Sequence, residues 1–171
     1  KKIREIETQV LETGDLTQVV RANAFGFSPN DCPNGFAETM IDCLENKREV
    51  PLDFMRHTAP ILATDLAELL VDCFSESVRG LVHFGTAQRT NPFQFAADVA
   101  IALDLPQPIR PTEQVLNRTA HETTLSCGHA SELLDCKMPL LSDSVDRFAA
   151  QYLSGFQSQL CNKVQHPTEV V

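Results

Sequence analysis

Hydrophobic and polar positions along the first part of the chain predict a helix followed by a strand. Residues 1–12 place three isolated apolar side chains on one helical face, and Gly14 is a typical helix stop. These apolar residues are Ile3, Ile6 and Val10. Residues 17–23 contain a Val-Val pair and predict a buried strand.

Two amphipathic helices are predicted next. Residues 28–35 are rich in turn formers. Apolar residues then recur at i, i+4, i+7 and i+8, namely Phe36, Met40, Cys43 and Leu44. Residues 50–59 have no clear period. Pro60 is predicted to introduce the following helix, whose apolar stripe comprises Leu62, Leu66, Leu69, Leu70 and Cys73.

The second half of the chain predicts one more strand and three more helices. Gly80 precedes a short strand at 81–84. Asn91 is suited to cap a helix with Pro92 at its first position and the Gln94 side chain reaching back. A Pro-rich connector covers 105–112, and a short helix is expected at 128–134. The last helix is expected from about Ser142, with a fraying tail after Leu160. Its predicted buried residues are Val145, Phe148, Tyr152 and Phe156.

The alternation of strands and helices predicts an α/β fold with mainly parallel strands. Only two or three convincing strands are present, too few for a self-sufficient sheet covered on both faces. The pattern therefore indicates the edge of a sheet together with a helical lobe.

Composition and charge exclude several classes of function. The chain has 171 residues, of which 43% are hydrophobic, which is typical of one globular domain. Its formal net charge of −9 argues against nucleic acid or an anionic membrane as a partner. No apolar stretch approaches the roughly 20 residues of a membrane span. The first residues do not resemble a signal peptide and include no initiator Met, so we expect a processed chain or a piece of a longer one.

The six cysteines are unevenly spaced, and we expect reduced thiols in a cytoplasmic protein. A zinc site can be imagined from His121, Cys127, His129 and Cys136. Their spacing fits no common zinc motif, so we expect no metal.

Several segments, in one order and at natural spacing, resemble the dTDP-4-dehydrorhamnose reductase family of extended short-chain dehydrogenases/reductases. The strand and loop VVRANAFG (19–26) resemble those after the family's Tyr-x-x-x-Lys helix. PILATDLA (60–67) and GLVHFG (80–85) are similar to two further family segments. The remaining similar segments are GFAE (35–38), FQFA (93–96), residues 125–134, Pro139-Leu140 and Arg147-Phe148.

The resemblance implies a partial Rossmann-like fold that combines C-terminal strands with a helical substrate-binding lobe. Residues 1–35 would form the edge of the sheet and 36–160 the substrate-binding lobe. The N-terminal half, with its Gly-rich turn and catalytic Tyr, is expected to be absent. NADP or NAD is then the family's cofactor but would not be bound by this segment alone.

The resemblance also implies site residues. Lys2 is the candidate catalytic lysine, although an ungapped register puts Ile3 at that position and a solvated helix lysine is an equal alternative. Cofactor contacts are expected at Arg21, Asn23, Phe25 and Gly26. Substrate contacts are expected at Ala24, Arg56 and His57.

Structural alternatives remain open for several of these residues. Arg21 would pair with an acid, Gly26 would form a turn, and Arg56 and His57 would lie on a solvated loop. The Asp65 carboxylate is expected to interact favourably with the positive end of a helix dipole. His83 is expected to be a hydrogen-bonded core residue.

The implied function is reduction of a 4-keto-6-deoxysugar nucleotide in dTDP-rhamnose biosynthesis by an NADP- or NAD-dependent oxidoreductase. The alternative is a non-catalytic regulatory protein similar to the regulatory subunit of methionine adenosyltransferase. A nucleotide-sugar substrate and a possible protein partner or dimer are the expected partners.

Overall fold

A computed structural model of the protein describes residues 2–14, 17–29, 35–48, 55–108 and 122–165. Seven helices and three strands lie within these ranges. The helices are α1 (Lys2–Glu12), α2 (Phe36–Glu45), α3 (Ala63–Ser75), α4 (Pro92–Ala102), α5 (Gly128–Leu133), α6 (Leu141–Leu153) and α7 (Phe156–Gln165). The strands are β1 (Gln18–Phe25), β2 (Pro60–Leu62) and β3 (Gly80–Phe84). None of these helices is long and apolar enough to cross a membrane.

The three strands form one parallel sheet in the order β2-β1-β3. The first five residues of β1 pair with β3, so that Arg21 lies opposite His83. The last three residues of β1 pair with β2 on the other side, so that Asn23 lies opposite Pro60. This arrangement confirms the predicted α/β class with parallel strands.

Strand β1 has one edge without a partner along most of its length. Over residues 18–22 it pairs with β3 alone, because β2 reaches only residues 23–25. No other described strand lies along this open edge. Its backbone N–H and C=O groups are therefore available to a further strand.

The two faces of the sheet belong to two hydrophobic cores. On one face, Ile61, Val82 and Phe84 are buried with residues of α3 and α5 such as Cys73 and Ala130. On the other face, Phe25 and Leu62 join the core formed by α2, α4 and α6. Within that core the Phe25 ring lies 4.9 Å from the Phe95 ring and 5.5 Å from the Phe148 ring.

The structure corrects the prediction that Pro60 begins a helix. Residues 60–62 form strand β2, and helix α3 begins at Ala63. Ile61 and Leu62 are each 0% exposed and face opposite cores, as successive strand residues do. Proline is tolerated here because it is the first residue of an edge strand. The sequence pattern was misleading because a strand of three apolar residues directly before a helix is too short to show a strand periodicity of its own.

The end of the chain also differs from the prediction. The predicted last helix is two helices, separated at Gly155, whose φ of +68° is the left-handed conformation that ends α6. Helix α7 continues to Gln165, where a fraying tail was expected. At the start of α4, Asn91 does cap the helix, but the Gln94 side chain donates to Asp98 and does not reach back.

Candidate functional site

The side chains at positions 21 and 23 of β1 lie on the sheet face that carries α1. The Arg21 guanidinium donates two hydrogen bonds to the Glu7 carboxylate, at 2.7 and 2.5 Å. This bidentate pair lowers the pKa of Glu7. The Nε2 atom of His83, on the neighbouring strand, lies 3.4 Å from Arg21 Nη1. The Arg21 side chain therefore fastens α1 to the sheet.

Asn23 joins the carboxyl end of β1 to two distant segments. Its Nδ2 group donates to Thr58 Oγ1 at 2.7 Å and to the Thr123 carbonyl at 3.2 Å. The two contacts span 35 and 100 residues of sequence. The segment before β2 and the segment before α5 are thereby held against the end of β1.

Backbone hydrogen bonds fix these two segments to each other. The His57 carbonyl accepts from the Thr123 N–H at 2.8 Å and from its hydroxyl at 2.9 Å. Thr58 exchanges two backbone hydrogen bonds with Thr90, at 2.9 and 2.8 Å. Thr58 and Thr123 thus form a wall, called the threonine wall below, beside Asn23.

A small charged cluster lies next to this wall. Arg89 Nη1 lies 3.2 Å from Glu122 Oε2. Hydrogen bonds from Thr124 lower the pKa of Glu122, with smaller contributions from the charges of Arg89 and His57. His57 therefore lies within electrostatic reach of Glu122.

The structure brings some of the predicted site residues together. Asn23 is hydrogen-bonded to Thr58, and Arg56 and His57 are the two residues before Thr58, so their segment lies beside Asn23. Arg21 lies on the same face of β1, two residues before Asn23. Ala24 is exposed at the strand's end, but its side chain points to the opposite face of the sheet from Arg21 and Asn23.

Two other predicted residues face inward. The Phe25 ring packs in the core of α2, α4 and α6. At Gly26 a β-carbon would lie 3.1 Å from the Ala63 β-carbon, so the close approach to the start of α3 favours glycine. Only the backbone of these two residues is suited to contact a ligand, and their role as cofactor contacts stays a prediction.

Lys2 is exposed on α1. At about 100° per residue, Lys2 lies roughly 140° around the helix axis from Glu7, which faces the sheet, whereas Ile3 lies roughly 40° from it. Ile3 is therefore closer than Lys2 to the side of α1 that carries Glu7, although its side chain is exposed. The catalytic role of Lys2 stays a prediction.

Sequence reasoning missed a cavity of about 570 Å³ next to the threonine wall. Its lining includes Ala59 and Thr124, the residues that follow the two wall threonines, and also Arg89 and Lys137. These residues are widely separated along the chain and belong to no recognisable motif. Only tertiary packing brings them together.

Potential metal ligands do not cluster in the part of the chain that the structure describes. His121 of the hypothetical zinc set lies outside the described residues. Cys127 and Cys136 are free thiols, and burial raises the pKa of both. They therefore do not have the character of activated thiolates.

Comparison with known proteins identifies relatives of this fold. The model of the RmlD substrate binding domain family matches residues 2–153. The solved dTDP-4-dehydrorhamnose reductase from Bacillus anthracis, in complex with NADP, is similar with a TM-score of 0.73 and 18% identity. That match covers 85% of this chain and 51% of the solved chain. The search of curated proteins finds no match.

Other solved enzymes share the fold. The Yersinia enterocolitica dTDP-4-dehydrorhamnose reductase has a TM-score of 0.68 at 17% identity, covering 79% of this chain and 49% of that one. A UDP-N-acetylglucosamine 4-epimerase from Bacillus cereus has a TM-score of 0.65 at 15% identity, covering 85% and 52%. The chain thus spans about half the length of these structures. The likeness confirms a partial Rossmann-like fold.

Proposed function

This chain belongs to the RmlD substrate binding domain family, and on that premise we propose that it is the sugar-binding part of an NAD(P)-dependent nucleotide-sugar reductase. The proposed substrate is a 4-keto-6-deoxysugar nucleotide of the dTDP-4-dehydrorhamnose type. Similar solved structures include reductases named for that compound, one of them with NADP bound.

The observation that carries this proposal is the convergence of three segments at Asn23. In parallel α/β sheets, ligands bind outside the carboxyl ends of the strands. At the carboxyl end of β1, Asn23 holds the segments of Thr58 and Thr123 in hydrogen bonds of 2.7 and 3.2 Å. This arrangement makes a fixed polar surface at the carboxyl end of β1.

Each proposed site residue has a role that follows from its chemistry. Ala24 is small and leaves room for a sugar ring. Arg56 and His57 offer cationic or hydrogen-bonding groups for phosphate or sugar hydroxyls. Asn23 orients the wall against which the substrate lies. Arg21, through its pair with Glu7, keeps α1 in place beside the site.

The sequence contains no Gly-rich motif of the kind that cradles the pyrophosphate of a dinucleotide. Its seven glycines include no Gly-rich turn between a strand and a helix. When bound, NADP or NAD supplies the hydride of such reactions. We therefore expect the main cofactor contacts to come from a separate cofactor-binding half. Secondary contacts are proposed for Arg21, Asn23, Phe25 and Gly26.

We propose that a cofactor-binding half covers the open side of this chain. Ile3 and Ile6 on α1 are 72% and 59% exposed, although they form one apolar face. The open edge of β1 offers backbone groups to a further parallel strand. Residues 1–35 would then be the edge of a larger sheet and 36–160 its substrate lobe.

Calorimetric titration of the chain with dTDP-glucose, and separately with NADPH, tests the proposal. We expect saturable binding of the nucleotide sugar and none of NADPH. Arg56→Ala should weaken nucleotide-sugar binding about tenfold, because a charged hydrogen-bond partner of the ligand is lost. Arg48→Ala, which removes the same charge at the end of α2, is the matched control. Tight NADPH binding, or no binding of dTDP-glucose, would contradict the proposal.

A non-catalytic regulatory protein of the same fold is the second candidate. The exposed apolar face of α1 favours it, because such a face suits a protein partner as well as a cofactor-binding half. This candidate requires a complex of fixed stoichiometry with one partner in native extracts, lost in Ile6→Lys. The absence of any such complex from native extracts would exclude it.

A further inference from the structure

The chain that leaves β1 is fastened directly beyond the carboxyl end of the strand. Phe25 is packed against the core of α2, α4 and α6, and the Phe27 ring centre lies 4.6 Å from that of Phe148. The Ser28 N–H then donates to Glu38 Oε1 at 2.8 Å. In parallel α/β sheets, ligands bind outside the carboxyl ends of the strands. This fastened segment therefore lies at the end of the sheet where a ligand is expected.

The Glu38 carboxylate joins this segment to the start of α2. Its Oε2 atom accepts from the Gly35 N–H at 2.8 Å, while its Oε1 atom accepts from the Ser28 N–H. The Ser28 hydroxyl lies 3.1 Å from each of the two oxygens. Gly35 is the residue directly before α2. One carboxylate thus holds a residue from each end of the β1–α2 connection, and this arrangement is called the Glu38 clamp below.

Gly35 also brings the Glu38 clamp against Gly26, the residue directly after β1. A β-carbon at position 35 would lie 3.1 Å from Glu38 Oε2 and 3.5 Å from the Gly26 carbonyl oxygen. The backbone at position 35 therefore packs against both groups. Gly26 is one of the residues for which a ligand contact is predicted. The carboxylate is thus linked to the predicted site through the backbone that it holds.

The chemistry of the Glu38 clamp favours a carboxylate over an amide of the same size. Glu38 is 5% exposed, and its Oε1 atom also accepts from the Gln157 side chain of α7 at 2.9 Å. Donors therefore face both of its oxygens. An ionised carboxylate accepts at both oxygens, whereas a side-chain amide has one acceptor and one donor group. Glutamine at position 38 would place its NH2 group against an N–H donor in either orientation.

We infer that Glu38 is a positioning residue for the ligand site, because its carboxylate holds the backbone beyond β1 in the conformation that binds the nucleotide sugar. The inference rests on the proposed function and adds to it a buried residue that acts through the backbone and not by touching the ligand. Without the Glu38 clamp, ligand binding has to order this backbone, and the affinity falls by the cost of that ordering.

Calorimetric titration with dTDP-glucose tests this role. Glu38→Ala should raise the dissociation constant about tenfold, and Glu38→Gln about threefold, because the amide keeps part of the clamp. Asp65→Asn is the matched control. Asp65 is a carboxylate of nearly the same burial, 4% exposed, but it ties α3 to α6. This control should bind dTDP-glucose as the unaltered chain does, and thermal melting would show that all variants are folded at the temperature of the titration.

Amide hydrogen exchange measures the Glu38 clamp directly. Without ligand, the Ser28 and Gly35 amides should be protected in the unaltered chain and in Asp65→Asn, and should exchange about tenfold faster in Glu38→Ala. Addition of dTDP-glucose should slow their exchange in Glu38→Ala, because the bound ligand holds the same backbone. A carboxylate with a structural role alone would give no such recovery.

The outcomes separate this inference from the proposed function. Equal affinity of Glu38→Ala and the unaltered chain for dTDP-glucose would overturn the inference and leave the proposed function standing. An equal loss of affinity in Asp65→Asn would also overturn it, because the effect would then be one of general stability. If the unaltered chain does not bind dTDP-glucose, the proposed function is wrong, and the positioning role of Glu38 is wrong with it.

Discussion

Two buried carboxylates join parts of the chain that are distant in sequence. Glu38, 5% exposed, accepts hydrogen bonds from the Ser28 and Gly35 backbone N–H groups, both at 2.8 Å, and from Gln157 at 2.9 Å. Asp65, 4% exposed, accepts from the Ser144 hydroxyl at 2.7 Å and pairs with Arg147 at 2.6 Å. A buried carboxylate requires such partners, because its desolvation is costly.

Asp65 shows how a correct local prediction can be incomplete. Its carboxylate lies in the first turn of α3 and interacts favourably with the helix dipole, as the sequence predicted. The structure adds that the same carboxylate ties α3 to α6. No sequence pattern connects position 65 with positions 144 and 147, because the contact depends on how the two helices pack.

Tyr152 is the residue for which a pH dependence is expected. Burial and the neighbouring Glu45 carboxylate, to which its hydroxyl donates, raise its pKa to about 12 from the usual 10.0. Because the folded-state pKa is raised, this residue contributes stability to the native protein at every pH below about 10. The unfolded tyrosine begins to ionise at about that pH. That contribution is lost as the pH rises from about 10 towards about 12.

Tyr152 is the only tyrosine, and the chain has no tryptophan, so ultraviolet titration of tyrosinate reports on this residue alone. We expect a midpoint well above 10 in the folded protein and about 10 in urea. Glu45→Gln should move the folded midpoint partway down, because burial, the larger cause, remains. A folded midpoint equal to that in urea would contradict this assignment.

At the scale of the element, the boundaries of helices depend on single residues that allow unusual backbone angles. Gly155 separates α6 from α7 with φ at +68°, and no atom would contact a β-carbon there. The requirement for glycine at this position is therefore a matter of backbone conformation alone. Sequence analysis did not use this glycine, because the apolar spacing continues from Phe148 through Tyr152 to Phe156.

Gly155→Ala should destabilise the chain by about 1 kcal/mol, since an alanine in the left-handed conformation is strained. Gly128→Ala is the matched control. A β-carbon there would also contact nothing, and this residue begins α5 without a positive φ. Urea denaturation of the two variants measures the difference. Equal stability of both would show that the α6–α7 boundary does not depend on the Gly155 conformation.

Strand β2 shows the limit of reading elements from local pattern. Three residues are too few for a period, and a proline before an apolar run is as typical of a helix start as of a strand start. Residues 60–62 are a strand only because they pair with residues 23–25 and so form hydrogen bonds with the backbone at the end of β1.

At the scale of the whole molecule, the sheet and α1 leave apolar and polar groups uncovered on one side. Helix α1 has an exposed apolar face formed by Ile3, Ile6 and Val10. The Arg21–Glu7 ion pair holds this helix next to β1, the strand with the open edge. A face of this kind is unfavourable in water and tends to be covered by another surface.

The chain by itself should therefore self-associate as its concentration rises. Ile6→Lys should reduce that association, because it places a charge in the middle of the apolar face, and sedimentation velocity measures the change. Thr8→Lys, which adds the same charge at an exposed position on the opposite side of the helix, is the control. A monomer at high concentration without any substitution would contradict the expected association.

The sequence alone determined the α/β class, most of the helices and the two longer strands, because these depend on local hydrophobic period, caps and turn residues. The family resemblance added the partial Rossmann-like fold, which the family model and solved structures confirm. The tertiary structure decided strand β2, the meeting of Asn23 with Thr58 and Thr123, and the cationic cavity at Arg89 and Lys137. These features join residues far apart in sequence, and their energies depend on burial and geometry that exist only once the helices have packed on the sheet.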